Sequence, residues 1–261
     1  MKAPPLRTPL ALANWKMAMT VSESLAFARA FLVQVGHVAG SVDVVLCPPY
    51  TALYVLAKEL HDTPVDVGAQ NVCAAPGKAH TGEVSPPLVA DAGATWAMVG
   101  HWEVRRQRGE TDREVSKKMR ACFQAGLRPI LFIGEERTEQ GRADEAMAAR
   151  LPSLFSGCQP GQVAKGAVLY EPEWSIGNKE PAPHDYVAAR CSFLRDWIKE
   201  AFGRDVAEEV RIIYGGSVSP RDAGELLSSP DVDGLGAGRM GRDPVAFGEI
   251  VRLIAAAKGP V

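Results

Sequence analysis

Four stretches of this 261-residue chain carry groups suited to acid–base chemistry on a small anion. In Asn14-Trp15-Lys16-Met17, a strand period of two sets Asn14 and Lys16 on one face and Trp15 on the other. Lys16 reads either as a fixed positive charge that binds an anionic substrate and stabilises a developing oxyanion, or as an ordinary solvated lysine. His101 directly follows the apolar run that ends at Gly100, where an imidazole can shuttle protons or polarise a carbonyl, or serve only as a satisfied structural histidine. Glu171 closes another apolar run and precedes Pro172, which holds Glu171 extended. A carboxylate half-withdrawn from water there has a raised pKa and the makings of a general base; the bland alternative is a surface carboxylate with Trp174 packed on a neighbouring helix. The glycine-rich turns Gly215-Gly216-Ser217 and Gly236-Ala237-Gly238 offer free backbone N–H groups, the former before a helix start, that suit a phosphate. Neither turn has the G-x-G-x-x-G spacing of a dinucleotide site.

What must position these groups is a repeated strand and helix. Apolar runs end at Asn14, Cys47, Gln70, Gly100, Gly134, Glu171, Gly216 and Gly238, most of them apolar at successive positions, as strands covered on both faces are. Between them lie helical segments opened by Ser22, Thr111, Pro183 and Ser219-Pro220, with Gly36, Gly126 and Gly203 as stops. Eight units in this length leave about 33 residues each, enough for a βαβ element and little for a second domain. The pattern predicts an α/β fold, a closed (β/α)8 barrel in one domain over residues 1–261, with an open doubly wound sheet as the structural alternative. In such a barrel the loops after the strands form the site, and phosphate binds after strands seven and eight, where the glycine turns fall. Trp174, Ile176 and Gly177 then read as a loop without helical signature that covers the site as a lid.

Composition narrows the class. With 29 basic against 31 acidic residues the net charge is −2, which argues against capture of nucleic acid or an anionic membrane. A hydrophobic share of 46% suits a buried core rather than disorder. No apolar run approaches 18 residues, and Leu10–Ala13 is too short for a secretory segment. The five cysteines are scattered, with no C-x-x-C pair, and read as free thiols of a cytoplasmic protein without a metal site.

Taken in order, Asn14–Met17, Val99–Glu103, Gly109–Asp112, Leu169–Gly177, Tyr214–Val218 and Pro230–Gly234 fall in the sequence and spacing of one family. From about Leu10 to Ile250 the chain resembles the triosephosphate isomerases. That family is itself a standard worked case of acid–base tuning in a barrel, so the following roles come with the resemblance and not from the spacing. The resemblance implies that Glu171 moves the carbon-bound proton, that neutral His101 polarises the carbonyl, and that Lys16 and Asn14 stabilise the enediolate. It further implies phosphate held by the N–H groups of Gly177, Ser217 and Gly238, and a lid from Pro172 to about Ala182 that excludes water. The substrate would be a small phosphorylated sugar, with no metal or organic cofactor because base, electrophile and cation are all side chains. The family's homodimers insert a loop beside the partner's site, here Asn71 to Glu83.

Several positions depart from the family pattern. Trp102 stands where a serine is usual, predicting a shifted Glu171 carboxylate or a reshaped pocket. Val104 replaces an arginine of the expected dimer network, and Phe132 replaces a cysteine. Asn178-Lys179-Glu180 lacks the usual hinge glycine. Arg239 takes the place of a second glycine, either adding a charged contact or restricting the backbone. It also resembles a branch that acts on erythrulose phosphates. Isomerisation of a tetrulose phosphate is therefore one alternative, and a non-catalytic phosphate-binding barrel is another.

Overall fold

In a computed structural model that describes residues 7–38 and 40–259, the eight runs become eight parallel strands. They are β1 (Leu10–Asn14), β2 (Asp43–Cys47), β3 (Val65–Ala69), β4 (Trp96–Val99), β5 (Arg128–Ile133), β6 (Ala167–Tyr170), β7 (Arg211–Tyr214) and β8 (Gly234–Ala237). Each pairs with the next, and β1 pairs with β8, so the sheet closes as the alternation predicts and the open-sheet alternative falls. All five cysteines are free thiols. Among the described residues no helix is long and apolar enough to cross a membrane.

Strand parity determines which residues meet at the mouth. Leu10 and Leu12 point into the barrel with Val45, Met98, Ile130 and Leu169, while Ala11 and Ala13 face the surrounding helices. Bulky side chains fill the interior in layers. Two residues beyond Leu12 the inward position is Asn14, and two beyond Leu169 it is Glu171. These polar groups are thus the next layer of the interior, still buried as they reach the carboxy-terminal rim. The interior is crowded: a Cβ on Gly215 would stand 2.4 Å from Leu169 Cδ2, so only glycine leaves room there.

The helical stops hold, and two other expectations need correction. The first helix, Val21–Val35, is capped by Thr20 and not opened by Ser22. Thr20 has the extended backbone a cap requires and Glu23 three residues on, whose carboxylate accepts from Thr20 N at 2.7 Å; Ser22 is already inside the first turn. The lid is not wholly irregular, since Glu173–Ser175 forms one 3-10 turn. Thr111 caps Asp112–Gln124 with a full capping box, and Pro183 and Gly203 bound His184–Phe202 as expected.

Candidate active site

Asn14, Lys16, His101, Glu171, Gly177, Ser217, Gly238 and Arg239 all line one cavity of about 300 Å³ at the carboxy-terminal mouth. Each arrives by a different local device. Asn14 follows from strand parity, but Lys16 does not, because β1 ends at Asn14 and Lys16 sits at φ 53°. The left-handed turn is held from several sides: Asn14 Oδ1 accepts from Lys16 N at 3.0 Å, and Gln70 Nε2 donates to Lys16 O at 2.7 Å and to Cys47 O at 3.0 Å. Trp15 Nε1 donates to Gly241 O at 2.7 Å. Such backbone costs of order 1–3 kcal/mol and persists only where its surroundings over-determine it. Here it turns the ammonium into the cavity.

His101 caps the helix Trp102–Arg108, and its Nδ1 accepts from Glu103 N at 3.1 Å. With Nδ1 committed as acceptor, the neutral ring carries its proton on Nε2. Burial, with help from the Lys16 charge, pushes the imidazole down to about 4 against the pull of Glu103. Phe132, in place of the usual cysteine, packs against this ring at 5.0 Å.

Glu171 is the converse case. Burial raises its carboxyl to about 8, with Lys16 opposing and Glu103 reinforcing. Its Oε2 lies 3.7 Å from His101 Nε2, beyond hydrogen-bond distance, and has no hydrogen-bond partner among the described residues. A buried carboxylate with a vacant lone pair beside a neutral N–H donor is equipped to take a proton from a carbon acid and to polarise the adjacent carbonyl.

The anion end is backbone. The N–H groups of Gly177, Ser217 and Gly238 have no carbonyl partner among the described residues. Ser217 is held at φ 49°, its Oγ lying 2.9 Å from both Ser175 O and Asn178 O of the lid. Tyr214 Oη accepts from Ala182 N at 2.8 Å, tying down the lid's far end. Trp174 Nε1 donates to the buried Glu135 Oε1 at 2.7 Å and packs edge-on against Tyr186, so this tryptophan anchors the lid's base and does not line the cavity. These contacts fasten the lid to the rim.

Glu103, Arg242 and Gln70 were not assigned roles from the sequence. Glu103 Oε1 pairs with Lys16 Nζ at 2.5 Å, and Arg242 lines the cavity beside Arg239. Gln70 is a polar residue just past a strand end, the signal that singles out Asn14 and Glu171; Glu103 and Arg242 carry no comparable local mark. Arg239 adopts ordinary right-handed backbone and lines the cavity. Trp102 does not line the cavity, and the Glu171 carboxylate stays within it; the indole Nε1 instead donates to Glu171 O at 2.9 Å.

A closed eight-stranded α/β barrel with a carboxylate, a neutral imidazole and an ammonium around a lidded anion pocket is an enolising-type barrel. The triosephosphate isomerase family model matches residues 9–254. The triosephosphate isomerase of Symbiobacterium thermophilum is 42% identical over 97% of this chain and 99% of its own length. That of Chloroflexus aurantiacus is 36% identical over 94% and 99%. The crystal structure of the Bartonella henselae triosephosphate isomerase superposes with a TM-score of 0.84 at 28% identity, covering 94% of this chain and 98% of that one. The chain belongs to the triosephosphate isomerase family.

Proposed function

We propose that this protein interconverts dihydroxyacetone phosphate and D-glyceraldehyde 3-phosphate through an enediolate. The observation that carries the reading is the partnerless, buried Glu171 carboxylate 3.7 Å from a neutral His101 in a cavity that also holds Lys16. Glu171 takes the proton from the carbon next to the carbonyl and returns it at the neighbouring carbon. His101 Nε2–H donates to the carbonyl oxygen, which becomes an enediolate oxygen, and the imidazole then relays protons between the two oxygens. Lys16 and Asn14 lie where negative charge grows, and Glu103 orients the ammonium. The phosphate is received by the amides of Gly177, Ser217 and Gly238, with the Arg239 guanidinium alongside. The lid keeps water from the intermediate.

The chain acts as one domain over residues 1–261 and as a cytoplasmic homodimer. The dimer reading rests on Met17, 99% exposed next to the catalytic Lys16, and on the mostly exposed loop Asn71–Glu83. A sedimentation mass near that of one 28.0 kDa chain and independent of concentration would remove it.

The deciding experiment is a coupled assay of the purified protein on triose phosphates and, in parallel, on erythrulose phosphates. Turnover of the trioses with little on the tetrulose is the expected result. Preference for the tetrulose would reassign the substrate and Arg239 with it, and absence of both activities in folded protein would leave a phosphate-binding barrel.

A further inference from the structure

The Glu171 carboxylate has nothing that ties it in place; the main chain beneath it has. Glu171 N donates to Ile133 O at 2.8 Å, and Glu171 O, past the end of β6, accepts from Trp102 Nε1 at 2.9 Å. A Cβ on Gly134 would lie 2.1 Å from that carbonyl oxygen, so the glycine keeps the space it occupies. Trp102 is itself immobilised. It is 6% exposed, and the Arg150 and Arg105 guanidiniums lie 5.0 Å and 6.0 Å from its ring. Both arginines share Asp112, at 2.7 Å from Arg105 Nη1 and 3.5 Å from Arg150 Nε. Arg150 Nη1 then donates to Gly134 O at 2.8 Å and Arg105 Nε to Gly100 O at 2.9 Å, fastening the indole to the ends of β5 and β4. On its far side the indole lines a separate polar cavity with Arg105, Arg106, Arg150 and Glu173.

We propose that Trp102 is a positioning residue for Glu171: its indole N–H, held by a packed ring, fixes the carbonyl of the base's own residue. The inference rests on the proposed isomerase reading. Because the side chain of Glu171 has no partner of its own, its location is inherited from the clamped main chain. An interaction with the carboxylate would compete with proton transfer, whereas one with the carbonyl holds the base still without occupying a lone pair.

The test is Trp102→Phe, which removes the N–H and keeps an aromatic ring, together with benzothienylalanine introduced at position 102, which keeps the ring's size and removes the N–H alone. Both are expected to lower kcat about tenfold or more, since displacements well under 1 Å matter to proton transfer. KM and the inhibition constant of inorganic phosphate should stay within about twofold, because the anion end is untouched. The acid limb of the kcat/KM pH profile should move to lower pH, as a looser carboxylate gains water and sheds part of the burial effect. In the Glu171→Asp background, where the base is already displaced, Trp102→Phe should cost less than about twofold. An equal fractional loss in both backgrounds would assign Trp102 to general packing, and an unchanged kcat with the isosteric analogue would remove the N–H from the account. A wild-type protein inactive on triose phosphates would sink the functional reading instead, so the two failures are distinct.

Discussion

Glu171→Asp removes one methylene and nothing else, and the structure says where the consequence falls. The main chain stays anchored through Ile133 O and Trp102 Nε1, so the carboxylate retracts by about one carbon–carbon bond, roughly 1.5 Å. Glu171 Oε2 now stands 3.7 Å from His101 Nε2 at the cavity wall. Retraction leaves the base short of the proton while His101, Lys16 and the anion-binding amides remain where they were. A misplacement of about 1 Å costs about 10²-fold, so kcat should fall roughly 10² to 10³-fold, a rise in barrier of roughly 3 to 4 kcal/mol. KM should stay within about threefold, as should inhibition by inorganic phosphate. Loss of one buried methylene lowers stability by about 1 kcal/mol, visible as a small drop in Tm. The assay is initial rate in both directions with coupled oxidation or reduction of a nicotinamide, over a substrate range wide enough to separate kcat from KM. A variant whose KM rises steeply while kcat holds would make Glu171 a binding residue and refute the base assignment.

Lys16→Ala should weaken both binding and turnover, by at least tenfold in kcat/KM, and should move the acid limb of the pH profile upward, since the ammonium now lowers the pKa of Glu171; an unmoved limb would show that the charge does not reach the carboxylate. Activity itself should decline as pH falls through the raised Glu171 pKa near 8, because the base must be ionised; a limb at the ordinary carboxylate value would contradict the burial argument. Stability carries the same signature with a defined sign. Glu171, raised from 4.5 to about 8, binds a proton in the folded state that the unfolded state has released, so it lowers stability as pH rises through that interval. His101, lowered from 6.5 to about 4, acts oppositely as pH rises from about 4 to 6.5, so only between pH 6.5 and 8 does Glu171 act alone. Over that window Glu171→Gln should flatten the decline in Tm seen for the wild type, measured by calorimetry; parallel curves would place the titration elsewhere. Tyr214→Phe removes the acceptor for Ala182 N and should raise KM severalfold and leave the lid open more of the time, read as faster amide exchange across residues 176–182; equal exchange would mean that the tether is dispensable.

The residues themselves determine a good deal. Successive apolar positions in Val44–Cys47 and Ile130–Ile133 require strands covered on both faces, and eight of them alternating with capped helices close into a barrel. Parity then delivers Asn14 and Glu171 to the rim, because each lies two residues beyond an inward leucine on a strand whose side chains alternate. Pro172 and the turn Gly215-Gly216-Ser217 declare an extended exit and a free backbone. These are local rules, and local rules extend only a few residues along the chain.

What tertiary structure alone decided lies between elements. Lys16 enters the cavity through a left-handed turn secured by Gln70 from β3's end, not by the period that suggested its direction. Glu103 finds Lys16 across 87 residues, and the Trp102 indole reaches the Glu171 carbonyl across 69, because the helix that begins after His101 points its first residues along the rim toward two different strands. The pKa values of Glu171 and His101 diverge for the same reason: burial depends on the lid, on Phe132 and on the closure of eight strands, none of which any one segment encodes.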